Sequence, residues 1–261
     1  LARADQHQAD GAVAAAEAAV AQAEGALTAA WQTAESPPSR PTVADELEHV
    51  GFYLSEVIYR VLPVFHEALD EAIEAVYGRR LPLPRALRFG SWVGGDMDGN
   101  PNVGADTIAA TLARQRQMVI AAYRRDLQHL SGLLSQSPER AGVDTAVFDR
   151  IEDYRRRFPE SAAQEHPRHA DMPYRTLLAL VDARLAATAQ GDAEAYGNPS
   201  EFEADLALLA GSLAAHRGAH AGAFNLRRVQ RRAEAFGFHL ATLDVRQDAA
   251  VHSEALAQCL S

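Results

Sequence analysis

Phe89-Gly90-Ser91-Trp92-Val93-Gly94-Gly95-Asp96-Met97-Asp98-Gly99-Asn100-Pro101-Asn102-Val103 is an apolar run that breaks into glycines and then into carboxylates. A linker would be polar throughout. Here Leu87 to Val93 reads as a buried strand, introduced by Pro82 and Pro84, and it feeds a loop in which Gly94 and Gly95 let backbone approach a ligand closely. Asp96 and Asp98 follow two residues apart, with Asn100 beyond them. The pattern reads as a site at a strand end.

Known loop chemistries fail against the spacing. In a calcium loop opening at Asp96 the sixth position must be glycine and the twelfth glutamate, and these are Pro101 and Thr107. The glycines match neither a dinucleotide nor a phosphate-loop fingerprint. The plain alternative is an Asx-type turn in which Asp98 and Asn100 satisfy their own backbone. Trp92 is by periodicity a core aromatic; beside Gly94 and Gly95 it can instead wall a pocket against water.

A second strand is expected at Phe236 to Val245, apolar on both alternating faces as in a parallel strand covered on both sides, with Arg246 at its end. An arginine there needs a partner. Asp244 and Asp248 are the nearest in sequence; the functional alternative is an anion clamp on the C-terminal face of a parallel barrel. The residues between the two strands are too many for one strand-helix-strand unit, so a helical insertion separates neighbouring strands.

Helical patterning dominates elsewhere. An alanine-rich helix covers Gly11 to Ala30 and ends near Trp31, before the breakers Ser36, Pro37, Pro38, Ser39, Arg40 and Pro41. A second begins after Thr42 with Leu47, Val50, Leu54, Ile58, Val61 and Leu62 on one face, a kink at Pro63 and a stop at Gly78. Asp106 is placed to cap a long helix with a stripe of Ile108, Leu112, Val119, Tyr123, Leu127, Leu130 and Leu134. Further helices are expected over Val143 to Phe158, Pro173 to Gln190, Pro199 to Arg217 and Gly222 to Ala235. The organisation is helical over 1–86, strand and glycine loop over 87–104, helical insertion over 105–235, and strand plus the start of a helix over 236–261. The fold class is mainly α.

Composition narrows the chemistry. The 261 residues are 48% hydrophobic with a formal net charge of -10, which supports a globular core and argues against nucleic acid or anionic membrane as a partner. No apolar run reaches the roughly 18 residues of a membrane span. All 25 basic residues are arginine, so a Schiff-base, phosphate-loop or general-base lysine is excluded here, while planar anion capture is favoured. The single cysteine, Cys259, is read as a small core residue and fits a reducing cytoplasm. His166 and His169, with Glu165 and Asp171, read as a solvated loop rather than a metal site. His216 and His220 lack the glutamate of a metalloprotease motif, with Arg217 in its place. Arg227, Arg228, Arg231 and Arg232 form one basic helix face, read as salt-bridged surface. The chain starts at Leu1 without methionine and stops at Ser261 inside a helical pattern, so it is expected to be part of a longer protein.

Phe89 to Val103 and Leu243-Asp244-Val245-Arg246-Gln247 together resemble phosphoenolpyruvate carboxylases. Trp31-Gln32-Thr33, Arg40-Pro41-Thr42 and Asp45-Glu46 resemble the family's upstream segment in the same order. Met97 stands where the family commonly has arginine, and Gly104 where it has threonine. The resemblance implies a (β/α)8 TIM-type barrel to which this span contributes two strands, with the family's histidine motif and its metal-binding and further arginine motifs outside the span. It implies a cytoplasmic, allosteric homotetramer that converts phosphoenolpyruvate and bicarbonate to oxaloacetate and phosphate, through carboxyphosphate and a magnesium-stabilised enolate. Under it Arg246 is the catalytic, substrate-binding cation. Trp92, Gly94 and Gly95 line the substrate, and Asp96, Asp98, Asn100 and Asp244 orient the site. No metal ligand falls here; the Mg2+ ligands are expected elsewhere in the parent, and the span alone is expected to be inactive. The contrasting reading is a non-catalytic helical binding or scaffold module.

Overall fold

A computed structural model describes residues 2–33, 40–81, 83, 85–164 and 166–260, with side chains described from residue 13 on except at 219. Of the expected features, the breakers at 36–39, Pro82, Pro84 and Glu165 lie outside the described residues. The chain divides into two units, Leu1–Thr42 and Val43–Ser261. The first carries α1 (Ala2–Gln32), an alanine-rich helix whose described side chains are all exposed.

The second unit is helical apart from two short strands. It runs through α2 (Val43–Phe52), a π-helical stretch (Tyr53–Ile58), α3 (Tyr59–Tyr77) and β1 (Gly90–Ser91). Then come α4 (Ala105–Leu133), α5 (Pro138–Ala141), α6 (Thr145–Arg157), α7 (Pro159–Ala163), α8 (Pro173–Gln190), α9 (Pro199–Ala215), α10 (Ala223–Phe236), β2 (Thr242–Leu243) and α11 (Ala249–Leu260). The core is one cluster. Val119, Tyr123, Leu127 and Leu130 of α4 meet Leu177, Val181 and Leu185 of α8, with Leu206 and Leu209 of α9 and Leu226 and Phe236 of α10 closing it.

Pro63 sits inside α3 without ending it. Proline has no N–H for the carbonyl four residues back, which is that of Tyr59. Arg232 of α10 supplies the missing donor, its Nε bonding the Tyr59 carbonyl at 2.9 Å while its Nη1 reaches Asp126 at 2.8 Å. The Tyr59 hydroxyl donates to the same Asp126 carboxylate at 2.6 Å, and burial, before the charge of Asp126, raises its pKa well above the usual phenol value. Arg232 therefore repairs a helix, and its neighbour Arg228 forms a two-pronged pair with Glu67 at 2.7 Å. The basic face of α10 is salt-bridged at those two positions.

Arg232→Met is expected to cost about 2–4 kcal/mol, because it leaves a helix carbonyl unpaired and a half-buried carboxylate without its cation. Adding Pro63→Ala restores the N–H, so the double variant should recover part of the loss. Equal stability of the single and double variants in thermal unfolding of the full-length protein would refute this account.

Several expectations need correction. The strands at Leu87–Val93 and Phe236–Val245 shrink to two residues each. Phe236 ends α10, and the backbone turns left-handed at Gly237 (φ 51°) and Leu240 (φ 58°), so β2 cannot extend backward. Nor is β2 buried on both faces: Thr242 is exposed and Leu243 half-buried. The apolar character of Phe236 to Ala241 serves the helical core instead. Helix α4 is capped at Gly104, whose N–H donates to the Thr107 hydroxyl at 3.3 Å, and Asp106 lies one residue inside the helix. Cys259 is exposed on α11, whose residues are all exposed.

Candidate functional site

β1 and β2 pair in parallel, Gly90 opposite Thr242 and Ser91 opposite Leu243, so neighbouring strands are separated by the helical insertion as their sequences imply. Side chains from the core set this register. Phe89, just before β1, stacks on Phe236 with centroids 5.0 Å apart. The buried Tyr123 hydroxyl donates to the Gly237 carbonyl at 2.7 Å. With its amide nitrogen turned toward β2, buried Gln115 donates to the carbonyls of His239 and Ala241 at 3.0 and 3.1 Å. Both ends of the segment before β2 are thus tied to α4.

At the C-terminal end of the pair the chains stay joined. The Thr242 N–H donates to the Phe89 carbonyl and that of Asp244 to the Ser91 carbonyl, at 2.8 and 2.9 Å. The Arg246 N–H then reaches the Gly95 carbonyl, and the Met97 N–H reaches the Arg246 carbonyl, both at 2.9 Å. Asp96 and Arg246 form an isolated parallel bridge. The main chain of Arg246 is therefore clamped by the glycine loop on both sides.

Between Trp92 and Gly95 the chain turns tightly, with the N–H groups of Gly95 and Asp96 both bonding the Trp92 carbonyl. Gly94 has φ +81° and lies against α4: a Cβ there would come within 2.0 Å of the Thr111 hydroxyl oxygen. A Cβ on Gly95 would meet the main-chain oxygen of Asp244 at 2.5 Å. The glycines thus serve close packing of the loop on α4 and on the strand that carries Arg246. Thr111, which periodicity did not mark, is the floor of this turn.

Gly94→Ala combines a left-handed conformation, costing about 1–2 kcal/mol for a residue with a Cβ, with overpacking of similar size. A loss of about 2 kcal/mol or more is expected. Thr111→Ala in the same chain should recover part of the contact cost and none of the backbone cost, as read by denaturant unfolding of the full-length protein. A harmless Gly94→Ala would contradict the geometry.

The Arg246 side chain is 60% exposed, and its nearest carboxylate oxygen is Asp96 Oδ2 at 3.8 Å, not Asp244 or Asp248. A pair that long and that wet contributes little, so the guanidinium keeps its donors for another anion. Asp96 also accepts the Asp98 N–H at 3.3 Å through Oδ1, and Asn100 accepts the Asn102 N–H at 3.1 Å. The Asx turns are real, but they belong to Asp96 and Asn100, with Asp98 as donor. Asp98 and Asp244 are exposed. Trp92 is 59% exposed, so it is not the core aromatic that periodicity predicts.

The structure thus brings Gly94, Gly95, Asp96, Asp244 and Arg246 together around one strand end, with Trp92, Asp98 and Asn100 on the same loop. Among the described residues no group of three or more histidine, cysteine or acidic side chains is placed to hold a metal. Asp96 accepts the Asp98 N–H through Oδ1 and faces the Arg246 guanidinium through Oδ2. His166 accepts the Arg168 N–H at 3.1 Å, and His216 bonds Asp144 at 2.8 Å, tying the end of α9 to the start of α6.

This is a mainly helical protein that presents an arginine beside a glycine loop at the end of a parallel strand pair, a geometry suited to oxyanions. The family model for phosphoenolpyruvate carboxylase matches residues 1–261, and the chain belongs to that family. It is 55% identical over 235 residues to the phosphoenolpyruvate carboxylase of Xanthomonas oryzae pv. oryzae (strain MAFF 311018), covering 90% of this chain and 26% of that relative. It is 35% identical over 253 residues to the phosphoenolpyruvate carboxylase of Ralstonia nicotianae, covering 90% of this chain and 25% of the relative. The chain spans about a quarter of the length of the curated relatives it matches.

Proposed function

We propose that this chain is part of a phosphoenolpyruvate carboxylase that forms oxaloacetate and phosphate from phosphoenolpyruvate and bicarbonate, and that β1 and β2 are neighbouring strands of its (β/α)8 barrel. The observation that carries this reading is Arg246, clamped through its main chain to Gly95 and Met97 at the C-terminal end of a parallel pair with its guanidinium exposed. Barrel enzymes bind substrate groups at that end.

In the reaction, charge builds on phosphoryl and enolate oxygens, and a fixed cation that needs no reorganisation lowers that barrier. Arg246 takes this role, with Asp96 limiting its swing. Exposed Trp92 offers an apolar surface that covers the site from water once substrate is bound, which matters for an intermediate that hydrolysis would destroy. Gly94 and Gly95 keep the loop thin enough for the arginine and the tryptophan to flank one ligand. Asn100 holds the loop through its bond from the Asn102 N–H, and the exposed carboxylates of Asp98 and Asp244 are assigned to orienting the site. Magnesium would supply charge neutralisation from ligands outside this span, and no step here runs through it. The parent is proposed to act in the cytoplasm as an allosteric homotetramer, and the span alone to be inactive.

The test is oxaloacetate formation by the full-length protein with bicarbonate and magnesium each supplied and withheld. Product that requires bicarbonate supports the reading. No product from folded full-length protein would leave a non-catalytic helical module.

A further inference from the structure

Far along the chain from the glycine loop, three arginines crowd one tyrosine. The guanidinium carbons of Arg150 and Arg157 from α6 and of Arg184 from α8 lie 5.6, 5.6 and 5.4 Å from the Tyr154 ring centroid. All three line an open cavity of about 300 Å³, together with Asp153 and with Glu201 of α9. Like charges this close repel unless anions sit among them.

The resident anions divide into one deep and three shallow. Asp205 has no exposed surface and pairs with Arg150 while accepting the Tyr154 and Tyr196 hydroxyls, each at 2.6 Å. It is fully used. Arg184 pairs with Glu201 and Arg157 with Glu194, while Asp153 pairs with Arg156, and these three carboxylates are 40%, 46% and 47% exposed. A carboxylate that stays 40–47% exposed returns to water when another anion takes its place, so these three are easier to displace than Asp205. Arg184 is the opposite case: its side chain is only 8% exposed, it lies 4.0 Å over the Tyr196 ring, and its Nε has no hydrogen-bond partner. An unpaired guanidinium N–H in that setting calls for an acceptor.

We infer that this cavity is a second anion site, in which a small dianionic oxyanion displaces the Glu201 carboxylate and is held between Arg184 and Arg157. Arginine's planar fork suits both a phosphate and a carboxylate group. The site shares no residue with the Arg246 loop and does not depend on the carboxylase reading.

The test is amide hydrogen exchange of the full-length protein with inorganic phosphate, with succinate, and with chloride at matched ionic strength. Saturable protection of residues 145–157 and 198–205 by phosphate or by succinate, but not by chloride, is expected, and the effective anion identifies the ligand's charged group. Binding at the Arg246 loop would instead protect residues 90–103 and 242–248. Arg157→Gln should weaken the protection about tenfold in anion concentration, and Glu201→Gln should strengthen it several-fold by removing the competitor. Protection confined to residues 90–103 and 242–248, or opposite variants that leave the 145–157 response unchanged, would overturn the site.

Discussion

Arg246→Ala in the full-length protein is expected to lower oxaloacetate formation about 10²–10³-fold in kcat, the usual scale for losing one preorganised group that meets developing charge. The structure makes this substitution clean. Arg246 contributes to the strand ladder through its N–H and carbonyl, which alanine retains. Its side chain stands 60% exposed, so stability should change by no more than about 0.5 kcal/mol. Arg246→Lys should recover only part of the rate, because an ammonium cannot reproduce the two-pronged contact. Asp96→Asn should have a smaller effect, since the Asp96 carboxylate only restrains the guanidinium from 3.8 Å. Activity of Arg246→Ala within a few-fold of the parent would remove the residue from the site and leave the family assignment standing.

Asp205→Ala is expected to be the most damaging single substitution in the helical part, at about 3–5 kcal/mol, the cost of stripping the counter-ion from a buried pair. Arg150 loses its carboxylate, and the buried hydroxyls of Tyr154 and Tyr196 both lose their acceptor. Asp205→Asn keeps one oxygen for the hydroxyls but not the charge, so it should fall between. Amide exchange resolves the effect within a large chain: α6, α8 and α9 should lose protection together, since local opening free energies follow the buried network. Protection unchanged in Asp205→Ala would show that the network carries no stability.

The apolar periodicity of α4 is legible in the sequence, and Val119, Tyr123, Leu127 and Leu130 are buried on the face it marks, while Leu112 of the same stripe is 45% exposed; α8, α9 and α10 are legible from their start and stop residues. The strands were over-read because a short apolar run fits either a covered strand or a packed loop. Only the tertiary structure shows that Phe236 and Leu240 face helices while Thr242 and Leu243 make the ladder. Sequence proximity offers Asp244 and Asp248 as partners for Arg246, but the parallel register puts Asp96 opposite. Asp205 was overlooked, although Phe202, Asp205, Leu209 and Ser212 recur at spacings of three and four, all buried on one face of α9. An acidic residue inside an apolar stripe is a readable sign of a buried partner. Arg232 left a subtler sign, since Pro63 frees the Tyr59 carbonyl and some donor had to arrive from elsewhere.

The pairing of Gly90 with Thr242 closes a loop of roughly 150 residues for a ladder only two residues long. So little hydrogen bonding cannot hold such a loop shut by itself. The strand ends meet because α4 and α10 have already packed and brought Phe89 to Phe236. The order of assembly follows: the helices pack on one another first, and the arginine and glycine loop come into register last. Any lesion in the helical core, however remote from Arg246, then acts first on the completeness of that junction, so catalytic competence should fade during heating before helix content does.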